Sequence, residues 1–250
     1  MPSSNPLDPT NYTTLLSGDR WPDGAGSVTF SFPANVPGVT ITGLLPNERV
    51  FAELAIARAN DVCNINLVAA PSGTTGQITF SRDTSDNGFG YAYYPSSGGD
   101  VFISTIPDQL AAALYNTGWQ TYIHELGHAL GLRHPFDNSP FLNAALDTQQ
   151  YTVMSYDPHP DQASLALLDQ EWPATYMLYD IQALQALYGA NMNTRSGNTT
   201  YFGASGEYAL ADNGKLIMTI WDGGGVDTID ASNQSNRVVI DLRPGYFSSI

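Results

Sequence analysis

Apolar and polar residues change their period several times along this chain. In SVTFSF, residues 27–32, they alternate, which predicts a strand with one buried face. In NERVFAELAIARAN, residues 47–60, Val50, Phe51, Leu54 and Ile56 supply one apolar side of an amphipathic helix, with Asn47 as its N-cap. NINLVAA (64–70) and GQITFS (76–81) predict strands joined by the turn PSGTTG. GFGYAYYP (88–95) and DVFIST (100–105) predict two more short strands. LYNTGWQTYIHELGHALG (114–131) then reads as a helix. Strands alternating with helices in this way indicate an α/β layer.

The remaining stretches have weaker patterns. The first 26 residues are polar and rich in Pro and Gly, with a short helix around Tyr12–Leu16. Residues 135–178 show no strong period. DIQALQALYGAN (180–191) is helical again, with Ile181, Leu184, Leu187 and Tyr188 on one side. Asp180 suits its N-terminus and Gly189 its C-terminus. After Asn191 the texture turns to Ser, Thr, Asn and Gly, with short apolar runs at 215–220 and 237–242. This shift divides the chain into residues 1–195 and 196–250.

Composition narrows the function classes. The 250 residues carry 24 Asp and Glu against 9 Lys and Arg, a net charge of −15. Phosphate repulsion at that charge argues against nucleic acid as a partner, while divalent cations are favoured. One cysteine, Cys63, rules out an internal disulfide and a four-thiolate zinc site. Its place at the end of an apolar stretch reads as a small buried hydrophobe. The opening MPSSNPLDPTNYTT lacks the basic and apolar regions of a signal peptide, and no apolar run is long enough to span a bilayer.

Three of the four histidines fall in HELGHALGLRH, residues 124–134. On a helix His124 and His128 lie one turn apart on one face, so both imidazoles can reach one cation. Glu125 is turned aside. Gly131 permits a sharp exit that can return His134 as a third nitrogen ligand. Three neutral imidazoles with an open position suit a catalytic zinc, with the Glu of HExxH as general base. The fourth histidine, His159, reads as a surface loop residue.

A second signal follows. YTVMSY (151–156) places Met154 twenty residues after His134, in the spacing of a metzincin Met-turn. With Pro135 directly after His134 and Tyr156 in MSY, the sequence resembles the serralysins, secreted bacterial metzincin proteases. DIQALQALYGANMNTRSGNTTY is similar to that family's last catalytic-domain helix, and IWDGGGVDTIDAS (220–232) to the start of its calcium-binding β-roll.

The resemblance implies a fold and a set of roles. The fold is an α/β (α+β) zincin-like catalytic domain followed by the start of a β-rich, β-roll calcium-binding domain. The activity is a zinc-dependent endopeptidase acting on proteins or peptides. His124, His128 and His134 would hold one catalytic Zn²⁺, with Glu125 as base. Met154 would form the floor beneath it, and Tyr156 would ligate in the resting enzyme and swing to hydrogen-bond the reacting carbonyl. Structural Ca²⁺ would be held by Arg195, Gly197, Thr199, Asp222, Gly224 and Asp227, with Gly225 and Asp227 shared with a second ion. Tyr91, Ala92, Tyr93 and Tyr94 would form the edge strand that takes substrate. Asp180 would be a cap or a buried partner behind the Met-turn.

Secretion, a monomeric state and a proteinaceous inhibitor as a further partner follow from the family in the same way. The family's nonapeptide repeats are absent here, so the chain is expected to be truncated ahead of them. Cys63 departs from a family that avoids cysteine.

Overall fold

The computed structural model describes residues 7–22, 27–34, 40–105, 117–162, 171–211 and 215–250. Its centre is a mixed sheet of six short strands. These are β1 (Val28–Ser31), β2 (Ile41–Gly43), β3 (Leu67–Ala69), β4 (Ile78–Asp83), β5 (Gly90–Ala92) and β6 (Val101–Ser104). The order is β3-β1-β4-β6-β5, with β2 also pairing with β4. β1 runs parallel to β3 and β4, and β4 parallel to β6. β5 closes one edge, antiparallel to β6, with Tyr91 opposite Phe102. β2 is antiparallel to the second half of β4. All five strands predicted in this region are present, four of them shorter than the predicted run and β4 of equal length but shifted two residues toward the C-terminus. β2 was not predicted, because ITG offers too few residues to show a period.

A short helix α1 (Pro9–Tyr12) precedes a 3₁₀ turn at Thr13–Leu15, so the predicted N-terminal helix starts earlier than Tyr12. The long helix α2 spans Pro46–Val62. Asn47 is therefore not its cap. Leu45 takes that place, Pro46 fills the first helical position, and Glu48 turns back so that its Oε2 accepts from Leu45 N at 2.7 Å. Val50, expected on the apolar side, is 58% exposed. Ala52, Ala55 and Ala59 are buried instead. Small side chains let α2 lie close to its neighbours, and an apolar count undervalues them.

Helix α3 spans Thr117–Ala129 and packs against α2, β5 and β6. Residues 114–116 of the predicted helix lie outside the described residues. The sheet and these helices share one core that includes Phe80, Ile103, Trp119, Tyr122 and Leu126, all with no exposed surface. Helix α4, Leu178–Tyr188, begins two residues before Asp180 and ends at Gly189, whose φ is +79°.

Beyond it, β7 (Thr200–Phe202) pairs in parallel with β8 (Thr228–Asp230). Among the described residues, the apolar runs 215–220 and 237–242 form no strand, and only a bridge joins Val239 to Ser249. No described helix is long and apolar enough to cross a membrane.

Candidate metal centre

The site begins where α3 ends. Leu132 N donates to Gly127 O at 2.9 Å and Gly131 N to His128 O at 2.8 Å, the paired bonds of a Schellman turn. Gly131 takes φ +94°, and a Cβ there would stand 2.2 Å from Asp19 O. Glycine is thus required twice, by the left-handed backbone and by the neighbouring chain. The N-terminal segment braces this exit. Arg133 N donates to Leu15 O, Ser17 N to Gly131 O, and Trp21 Nε1 to Ala129 O.

The turn returns His134 to the two helix histidines. Its Nε2 lies 3.1 Å from Nε2 of both His124 and His128, and ligand atoms of all three fall within 4.8 Å of one another. Each Nδ1 faces an acceptor: Val153 O for His124, Leu132 O for His128, and the Asp137 carboxylate for His134. Carbonyls and carboxylates only accept, so each Nδ1 carries the hydrogen and each neutral Nε2 presents a lone pair inward. Burial holds His124 well below the ordinary imidazole range, and its histidine neighbours push the same way. Burial likewise lowers His128 to about 4. Three converging lone pairs repel one another unless a cation lies between them. The donor set fits a metal ion taking nitrogen ligands.

Glu125 lies beside the triad and is 6% exposed. Its Oε2 has no hydrogen-bond partner among the described residues. Burial raises its carboxyl to about 8, with a smaller push from the charge of Asp86. A carboxyl so placed exchanges protons near neutrality. Gly90 of β5 passes over it, for a Cβ at Gly90 would stand 3.4 Å from Glu125 Cγ.

The other predicted residues divide into those near the triad and those elsewhere. Met154 is fully buried beneath α3, and a Cβ on Gly127 would meet its Sδ at 2.6 Å. Tyr156 is 65% exposed, its ring 4.8 Å from that of His134 and 5.0 Å from that of Phe136. On β5, which holds Tyr91 and Ala92 but stops before Tyr93, Tyr91 stacks on Phe102 and donates its hydroxyl to Asp83 at 2.9 Å, while Tyr93, one residue past the strand, packs edge-on to Phe102. Tyr94, just past the strand, sets its ring 5.9 Å from His128.

Tyr93 N bonds Asp100 O and Ser104 N bonds Phe89 O. By antiparallel alternation the N–H and C=O of Gly90 and Ala92 then point off the open edge. His159 stands apart in a loop beside Asp161.

The two predicted calcium segments meet. Thr199 N donates to Asp227 Oδ1 at 2.8 Å, and a Cβ on Gly225 would stand 2.4 Å from Gly197 O. Asp222 accepts from Gly224 N at 2.8 Å and from the Tyr201 hydroxyl. Arg195, at φ +50°, ties this region to the end of α2, its guanidinium reaching Glu207, Asp61 and Trp221 O.

Asp180 is fully buried, capping α4 through Met177 N and accepting from Val153 N and Thr152 Oγ1. Burial outweighs these bonds and lifts its carboxyl to about 7. Cys63 is 1% exposed with its thiol pushed up to about 12 by burial, which matches the reading of a small hydrophobe.

Asp137 went unnoticed in the sequence. Its signal is only an acid three residues past a candidate ligand, in a turn no period announces.

Comparison with known proteins gives the same direction. Residues 190–250 match the family described as Peptidase M10 serralysin C terminal. Metalloprotease AprA of Pseudomonas entomophila (strain L48) is 32% identical over 96% of this chain and 56% of its own length. Serralysin of Proteus mirabilis is 33% identical over 81% of this chain and 48% of its own. Serralysin A of Dickeya chrysanthemi is 36% identical over 80% and 46%. The chain therefore spans about half the length of the curated relatives it matches. With an elongated histidine motif on a helix, a methionine turn beneath it and metalloprotease relatives along nearly its whole length, the chain is a serralysin-like metzincin.

Proposed function

We propose that the chain carries a zinc-dependent endopeptidase that hydrolyses peptide bonds in proteins. The observation that carries this reading is the pairing of three inward Nε2 atoms with the buried Oε2 of Glu125, which has no partner among the described residues, beneath a strand edge that no described strand covers. Zinc held by His124, His128 and His134 would keep its double charge and lower the pKa of a water from its high bulk value to about 7.

Glu125 then takes a proton from the attacking water and passes it to the leaving amine, a role supported by its burial and its free oxygen. The Tyr156 hydroxyl donates to the carbonyl oxygen as charge develops there, an interaction of about 3 kcal/mol where such donors have been removed. Its exposure and nearness to His134 would let its hydroxyl turn either toward a metal held by the triad or toward the carbonyl. Met154 supplies an apolar floor. Substrate extends along β5, pairing with the outward groups of Gly90 and Ala92, with Tyr91, Tyr93 and Tyr94 flanking.

Arg195, Gly197, Thr199, Asp222, Gly224, Gly225 and Asp227 would hold Ca²⁺, a role supported by the close approach of residues 197–199 to 225–227. The division at residues 195 and 196 is supported by the end of the main sheet and helices before it, and by the family match beginning at 190. Secretion, and an extracellular place of action, belong to the same reading and are supported by the family the chain belongs to.

The test is casein cleavage with Zn²⁺ and Ca²⁺ by the parent and by Glu125→Gln. We expect a loss of about 10²–10⁴-fold with one zinc still bound. Equal cleavage by both would remove Glu125 from the chemistry.

A further inference from the structure

The three histidines are not held alike. Nδ1 of His124 and Nδ1 of His128 each donate to a main-chain carbonyl at 2.8 Å, and both residues are buried. His134 leaves the helix and stands on a loop, half-buried, with both oxygens of Asp137 at 3.0 and 3.1 Å from its Nδ1. No helix or sheet bond sets the angle of this ring. The loop sets it. Asp137 N reaches back to His134 O, and Phe136 lies flat on the ring, 5.0 Å away and 2° from parallel. Arg133 fastens the far side by donating to Asn138 O and Pro140 O at 2.9 and 3.2 Å.

We infer that Asp137 is the positioning residue of His134. Its carboxylate keeps the proton on Nδ1 and turns the Nε2 lone pair inward. A ring without that acceptor is free to carry its hydrogen on Nε2, where it cannot ligate. Main-chain carbonyls hold the buried histidines by folding alone. His134, less buried than the other two, takes a charged partner instead, because water can reach its ring. The inference rests on the reading of the triad as a metal site.

The experiment measures Zn²⁺ affinity of the 250-residue chain by competition with a chromogenic chelator, for the parent, Asp137→Ala and Asp137→Asn. Nitrogen-15 spectra of the imidazoles in the metal-free chain give the tautomer of His134. The parent is expected to bind one zinc and to show His134 with its proton on Nδ1. Asp137→Ala should bind roughly 10–100-fold more weakly and lose that tautomer preference. Asp137→Asn, whose amide oxygen still accepts, should recover most of both.

Parent-like affinity and tautomer in Asp137→Ala overturn the inference. If Asp137→Ala does not fold by circular dichroism, the parent spectrum decides: a proton on Nε2 of His134 overturns the inference, and one on Nδ1 supports it. A parent that binds no zinc overturns the reading of the triad itself, and the inference with it.

Discussion

One residue, Val153, joins Asp180 to His124 through its two main-chain polar groups. Asp180 Oδ2 accepts from Val153 N at 2.7 Å, and Val153 O accepts from His124 Nδ1 at 2.8 Å. The carboxylate at the start of α4 thereby fixes a candidate ligand on α3 without touching it.

Asp180→Ala would strip three buried donors, on Val153, Met177 and Thr152, of their acceptor. At about 1–3 kcal/mol for each buried group left unpaired, the loss of stability should be about 3 kcal/mol or more. Urea unfolding of the metal-free chain measures it. A change under about 1 kcal/mol would mean that water replaces the carboxylate at no cost, contrary to the packing described.

Gly131→Ala meets both a left-handed backbone and the Asp19 carbonyl. Strain and displacement together should cost about 3 kcal/mol or more. The exit of α3 should open, so zinc affinity should fall along with the thermal midpoint. A variant as stable as the parent would show that the turn tolerates a side chain.

Gly127→Ala pushes on Met154 Sδ, and Met154→Ala leaves a cavity at the same place. Singly they should cost about 1–3 and 2–5 kcal/mol. The double variant should cost clearly less than the sum, since the added methyl enters the space the thioether leaves. Strict additivity in a double-mutant cycle would show that the two residues do not press on each other.

Cys63 gives a pH dependence with a definite sign. Its thiol is raised from 9.0 to about 12 in the fold. The unfolded chain releases this proton first, so the contribution is whole below about pH 9 and is lost as pH rises toward 12. The loss should approach about 1.4 kcal/mol per pH unit in that window. Cys63→Ala removes this component, so the difference in stability between parent and variant should narrow between pH 9 and 10.5. A constant difference would count against a buried thiol.

How much of this was legible in the sequence depends on how local each cause is. His124, His128 and His134 could be read from spacing and one glycine, since helix period and a Schellman turn are local. Asp180 could be placed as a cap because its role begins at a helix start. Asp137 could not, because its partner is reached by a turn that no repeat signals. The N-cap at Leu45 was obscured by Asn47, a better capping side chain in a worse place. The stacked alanines of α2 were passed over for Val50, because burial there follows size of gap and not hydrophobicity. The meeting of residues 197–199 with 222–227 rests on chain reversal over a long interval, which only the resemblance suggested.

The brace at the exit of α3 sets a limit on N-terminal trimming. Leu15, Ser17 and Trp21 together hold Arg133, Gly131 and Ala129, the residues that aim His134. A truncation that ends upstream of Leu15 leaves that frame whole. A cut a few residues later would leave the helix histidines in place and release the third. The segment that looks most dispensable by its composition is therefore the one whose removal would silence the centre from a distance.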